Sequence, residues 1–260
     1  MKIIIKLILI VLLVSCNSSL EKWKSYDESD EILKNSSNKN QKLRYKRIQS
    51  ISTDKNKLIN GLENEIENFI ETKYKKLKPK IIEKSIPEIQ KSVINKDFSY
   101  YDLTLFYISR IYLIEFNKDT YLNSIISINK NVLDEAKSKD IQGNSDIYSV
   151  FGIPILLKDN IGFESLPTTA GAHSLQNNYT KDAYIVKKLK ENGALILGKT
   201  NLSEWANYFC SGCPNGYTAL GGQTLNPYGR KKIDTGGSSS GRGAATASNL
   251  TAVSLGSETS

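Results

Sequence analysis

Residues 152–160 read GIPILLKDN, and residues 234–243 read DTGGSSSGRG. In the first stretch an unbroken apolar run, 153–157, ends on Lys158 ahead of a polar turn. A short continuous run bounded by turn residues is the pattern of a strand buried on both faces. Two further runs of this kind, 194–197 and 251–255, alternate with Gly/Ser/Asn loops and with a helical segment at 182–191. That alternation predicts an α/β fold with at least some parallel pairing, the three runs sharing one sheet. Burial disfavours the ammonium form of a lysine and lowers its pKa, which is how a lysine comes to act as a general base. Taken by itself, Lys158 could equally be a strand-end lysine facing water. In the second stretch glycines allow close backbone approach, and serines supply hydroxyls at the mouth of a helix. An anion-binding loop is a competing reading. A flexible linker is another, opposed by the helix and strand on either side.

Upstream, Leu58, Ile59, Leu62, Ile66, Phe69 and Ile70 recur at helical spacing, and Pro79 and Pro87 interrupt the stretch after them. Ser99 and Asp102 have capping-box spacing ahead of the apolar positions Leu103, Phe106, Tyr107, Ile111 and Ile114, which predicts a helix starting near Ser99. Residues 17–55 are rich in Ser, Asn, Lys and Glu without apolar periodicity, so they read as a tether. No internal repeat is present.

At the N-terminus, Lys2 and Lys6 precede an apolar stretch, 7–14, that is too short to span a bilayer and has signal-peptide proportions. Leu13-Val14-Ser15-Cys16 resembles a bacterial lipobox. The expectation is cleavage before Cys16, lipid on that residue, and a membrane-anchored protein of the cell envelope; an uncleaved signal anchor is the alternative. Two or more acyl chains would hold it stably. The expected domain boundaries are 1–15 signal peptide, 16–55 tether, 56–98 helical region and 99–260 the N-terminal part of an α/β domain.

The 260 residues carry a formal charge of +8. Such a charge favours anionic membranes or nucleic acid, but these basic residues are scattered without an Arg-rich patch, so they read as solvated surface and no nucleic-acid partner is expected. Beyond Cys16 the only cysteines are Cys210 and Cys213, and the only histidine is His173. Those are too few ligands for a zinc site, so the cysteines read as a loop pair, free or disulfide-bonded, and no metal is expected. Residues 193–200, GALILGKT, fit the phosphate-binding expression G-x4-G-K-[ST]. That mechanism needs a strand before the first glycine and a loop after it. Here a helix precedes and a strand follows, which excludes it. A Ser-His-Asp triad would have to use His173, without a nucleophile elbow. Hydrolytic chemistry here therefore needs a base other than histidine.

The motifs GIPILLKDN (152–160), PTTAG (167–171), GALILGKTNLSEWA (193–206), GGQTLNPY (221–228), GGSSSGRG (236–243) and LGSET (255–259) stand in the order found in the amidase-signature family, which the chain resembles from about Ser99 to its last residue. The resemblance implies that family's α/β fold, a mixed central sheet flanked by helices, with a helical N-terminal region. It also implies a Ser–cis-Ser–Lys triad that hydrolyses a small-molecule or peptide carboxamide. Lys158 matches the lysine and Ser238 the bridging serine, which adjoins a cis peptide bond. Ser239 and Ser240 match supporting loop residues. Gly256-Ser257-Glu258-Thr259-Ser260 matches the first five places of the motif that ends in Gly-Ser. The nucleophile is thus expected beyond Ser260, and Thr259 and Ser260 would belong to the oxyanion-hole region. On this reading the chain covers only the N-terminal part of the family's domain and is inactive alone. The alternatives are a non-catalytic anchored fragment, half of a split enzyme whose C-terminal half is supplied separately, and an amidotransferase A subunit. The lipobox opposes the last of these. The Gly-Gly-Gln and Ser-Ser-Ser-Gly variants look closer to the peptide and small-amide amidases.

Overall fold

The structure is a computed structural model and describes residues 20–258. The signal peptide, Cys16, Thr259 and Ser260 lie outside the described residues.

Eight α-helices and six strands run in the order α1 (Ser29–Ser36), α2 (Glu63–Phe69), α3 (Lys75–Ile81), α4 (Ile86–Ile94), α5 (Tyr100–Glu115), β1 (Ile125–Ile128), α6 (Val132–Gln142), β2 (Pro154–Lys158), α7 (Tyr184–Glu191), β3 (Leu195–Thr200), β4 (Tyr217–Thr218), β5 (Gly222–Gln223), α8 (Ser240–Ala247) and β6 (Val253–Leu255) among the described residues. The fold is α/β, with a mixed four-stranded sheet in the order β1-β3-β2-β6. The three apolar runs of the sequence form β2, β3 and β6, and β2 lies parallel to both neighbours. Every residue of β2 and β3 is buried, which is why the apolar runs 153–157 and 194–197 are continuous rather than alternating. β1 adds an antiparallel edge beside β3 that the sequence reading did not identify. Its four residues, with a serine inside, are too short to carry a periodic signal.

Helix α5 starts at Ser99, whose hydroxyl accepts the Asp102 N–H at 3.1 Å as the capping box predicts. The two prolines part company. Pro87 sits in the first turn of α4, where its missing N–H costs nothing, and Ser85 N donates to the Glu88 carboxylate at 2.8 Å. Pro79 lies inside α3 without ending it; a π-turn at Ile70–Tyr74 precedes that helix. A proline disturbs the turn before it, and local widening is one way a helix accommodates irregularity.

The expected tether over 17–55 is corrected for residues 20–55, which are docked. Leu43, Tyr45 and Ile48 are buried with Tyr121, Leu122 and Leu225 in a second apolar cluster, with Trp23 and Tyr26 packed against it. Gln223 N donates to the Ile48 carbonyl at 2.8 Å, and the Glu28 carboxylate accepts the N–H groups of Ile48 and Gln49. These anchors are isolated apolar residues in irregular backbone, so no period betrays them.

Candidate active site

Lys158 is the last residue of β2 and is fully buried, and Ser238 lies just before α8. Lys158 Nζ is 2.6 Å from Ser238 Oγ and 2.8 Å from Ser257 Oγ. The Gly237–Ser238 peptide is cis. The structure thus brings together the two residues that the motifs nominated. It adds Ser257, to which the sequence reading gave no role, and Asn160, whose Nδ2 lies 3.1 Å from Ser257 Oγ. The signal for Ser257 was its hydroxyl at the second place of the motif that starts at Gly256.

Three sets of contacts hold the serine loop. Ser203 N donates to the Ser238 carbonyl at 2.8 Å, Ser240 Oγ donates to the Gly236 carbonyl at 2.6 Å, and Gly241 N donates to the Asn201 carbonyl at 3.0 Å. Asn201, at the end of β3, is itself locked. Its amide nitrogen donates to the Asn123 and Gly222 carbonyls, and its oxygen accepts from Leu202 N and Thr218 Oγ1. On the lysine side, the buried Asp159 carboxylate accepts from the Thr169 hydroxyl, Thr169 N and Gly171 N, pinning the PTTAG turn. Burial raises the Asp159 pKa while the Lys199 charge and these hydrogen bonds oppose it.

Lys158 is pushed down to about 8, first by burial and then by the Arg242 cation, with Glu258 pulling the other way. Near neutral to mildly alkaline pH a substantial fraction of this amine is therefore free to accept a proton. A neutral amine within hydrogen-bond reach of a serine hydroxyl can relay protons without a histidine. His173 is exposed on a 3-10 turn. Cys210 and Cys213 form a disulfide. Lys199 of the GALILGKT stretch is buried, its ammonium donating to the Ile161 carbonyl at 2.6 Å, and residues 195–200 are strand β3 rather than a phosphate loop. No helix among the described residues is long and apolar enough to cross a membrane.

Fold and site together define an α/β protein equipped for lysine–serine proton transfer. The amidase family model matches residues 102–260, and the chain belongs to that family. It is 37% identical over 182 residues to a probable amidase of Arabidopsis thaliana. It is 39% identical over 178 residues to the A subunit of the glutamyl-tRNA(Gln) amidotransferase of Legionella pneumophila. Each match takes in 67% of this chain and 35% of the relative, so the chain spans about a third of the length of these proteins. Among solved structures, an amidase family protein from Bacillus anthracis superposes with a TM-score of 0.74 at 35% identity, over 82% of this chain and 42% of that one. The peptide amidase of Stenotrophomonas maltophilia does so with a TM-score of 0.61 at 38% identity, over 66% of this chain and 36% of that one.

Proposed function

We propose that the protein is a lipid-anchored amidase that cleaves a carboxamide C–N bond through an acyl-enzyme. The observation that carries this is the 2.6 Å approach of the depressed Lys158 amine to the Ser238 hydroxyl. In the proposed mechanism Ser238 passes its proton to neutral Lys158 and takes the proton of the nucleophilic serine. That serine is the one expected to complete the motif begun at Gly256. Its oxygen attacks the amide carbon, and backbone N–H groups at Thr259 and Ser260 help hold the oxyanion. The relay returns the proton to the departing amine as the C–N bond breaks, and water, deprotonated by the same route, releases the acid. No metal or organic cofactor enters this scheme, and no nucleic acid is a partner. The Legionella match keeps the amidotransferase A subunit in view as the second reading; the lipobox, the mark of an exported protein, counts against it.

The anchoring part of the proposal places lipid on Cys16. Leu20 is already packed against the core, and four residues reach at most about 14 Å. Lipid on Cys16 would hold the domain against the bilayer on a short leash rather than lift it away.

The test is hydrolysis of simple primary carboxamides by this chain and by a longer form in which the motif is completed by Gly-Ser and the rest of the family domain, or in which that portion is supplied as a separate chain. Turnover is expected only with the completed motif and should be lost in Lys158→Met and Ser238→Ala. Turnover that survives both substitutions would overturn the reading.

A further inference from the structure

A cavity of about 770 Å³ is walled in part by the segment that follows Ser203 in the chain. Part of its wall is Glu204, Trp205 and Asn207, which follow Ser203, the donor to the Ser238 carbonyl. Another part is Arg44, Lys46 and Arg47 from the docked N-terminal segment, outside the residues that the family model matches. The Cys210–Cys213 loop completes it, and the Lys42 ammonium fastens that loop to the N-terminal segment by donating to the Cys213 carbonyl at 2.8 Å.

The charges in this cavity are unbalanced. Arg44, Lys46 and Arg47 make no salt bridge among the described residues. The one carboxylate on the wall, Glu204, accepts the Ala219 N–H at 2.7 Å. Beside the cations stand two exposed aromatic rings packed edge to face. Trp205 is 44% and Phe209 78% exposed, their centroids 6.1 Å apart. A cleft with an apolar wall and few convergent polar groups suits a small ligand, and unbalanced cations focus anions into such a space.

We infer that this cavity receives the remainder of an amide substrate bearing an anionic group, a carboxylate or phosphate, set apart from the scissile carboxamide by an apolar or aromatic body. The cations would hold the anion while Trp205 and Phe209 cover the body. This deepens the amidase reading and rests on it, and it assigns the selection of substrate to residues 44–47.

The test reads binding, so it does not depend on turnover. N-succinyl-phenylalaninamide and its neutral counterpart N-acetyl-phenylalaninamide are titrated into the full chain and followed by calorimetry. The anionic probe should bind about fivefold tighter or more, as a few partly screened charge contacts allow. The preference should shrink in high salt and vanish in the triple variant Arg44→Ala/Lys46→Ala/Arg47→Ala, with the neutral probe's affinity unchanged. Arg44→Lys/Arg47→Lys should keep it. Equal affinity for the two probes, a preference that survives the triple variant, or binding of neither probe would overturn the inference. Failure of the completed form to hydrolyse carboxamides while the preference stands would instead count against the amidase reading alone.

Discussion

Lys158 and Ser238 stand 80 residues apart in the chain and 2.6 Å apart between Nζ and Oγ. The sheet register explains how they meet. β6 runs parallel to β2 with Leu255 opposite Leu157, so the residues leaving β6 emerge level with the end of β2, where Lys158 sits. Two residues on, Ser257 reaches the same amine. Helix α8 precedes β6 and packs on β2 and β3, which brings its leading serine loop to the carboxyl ends of the strands. The amine is thus fixed by three separate segments before any substrate arrives.

Lys158→Met removes a buried amine from an apolar strand end while keeping its length. The substitution should leave the melting temperature unchanged or slightly raised, since burying an amine is costly. In the completed enzyme the same change should lower turnover by roughly 10³ to 10⁶, because residues of a proton relay act as a unit. A thermal melt alongside an amide assay checks both. Ser238→Ala should give the same pair of results.

The Lys158 pKa of about 8 sets the pH dependence. The amine is the active form, so the rate should climb as pH rises through about 8 and level off above it. Removing the Arg242 cation stops penalising the ammonium form, so Arg242→Gln should move the midpoint upward, by a small shift because the guanidinium is exposed and screened. Glu258→Gln should move it downward. Side-chain nitrogen NMR of Lys158 reads these midpoints without requiring turnover, and an upward shift in Glu258→Gln would contradict the sign.

The sequence disclosed the sheet where burial made it legible. The runs at 153–157 and 194–197 are apolar throughout because β2 and β3 are covered on both faces, while 251–255, which carries Thr251 and Ser254, forms the half-buried strand β6 of the same sheet. It also nominated Lys158 and Ser238, through ordered motifs rather than through spacing, since nothing local tells a reader that residues 80 apart will touch. Ser257 escaped notice because its role depends on the β2–β6 register. The docking of 20–55 escaped because Trp23, Tyr26, Leu43, Tyr45 and Ile48 are too widely spaced for any period, and a polar composition hid them.

Glu115 should be a keystone for the turn into β1. Its buried carboxylate accepts the N–H groups of Leu122, Asn123 and Ser124 and the Ser124 hydroxyl, with the Lys55 ammonium 3.5 Å away. Glu115→Ala leaves those donors unmatched and takes from Lys55 its carboxylate partner, though the ammonium keeps its bonds to the Glu115 carbonyl and Asn123 Oδ1. The substitution should cost about 3–5 kcal/mol. Glu115→Gln keeps one acceptor oxygen and should fall between. Urea denaturation measures both; a loss below about 1 kcal/mol in Glu115→Ala would show that water replaces the carboxylate there.

Cys16→Ala tests the anchor. The unsubstituted protein should label with fatty acid and sediment with membranes, and the variant should do neither. Membrane association that persists in Cys16→Ala would mean that the apolar stretch at 7–14, not lipid, holds the protein.

The docked N-terminal segment offers a comparison within a few residues of chain. Ile48 is fully buried against Tyr121 and Leu225, whereas Ile51 is 70% exposed. In a solvated tether both could be truncated to alanine at a cost within about 0.5 kcal/mol. In the structure only Ile51 can. Ile48→Ala removes buried methyl groups and opens a cavity under the Gln223–Ile48 backbone hydrogen bond, and should cost about 2–4 kcal/mol. The loss should be accompanied by faster proteolysis between residues 20 and 55, because this segment is held to the rest of the chain through that cluster. Arg44, Lys46 and Arg47 ride on the same stretch, so in Ile48→Ala the preference for the anionic probe should weaken along with stability. Equal melting temperatures for Ile48→Ala and Ile51→Ala would return residues 20–55 to the status of a tether and leave the cationic side of the cavity without support.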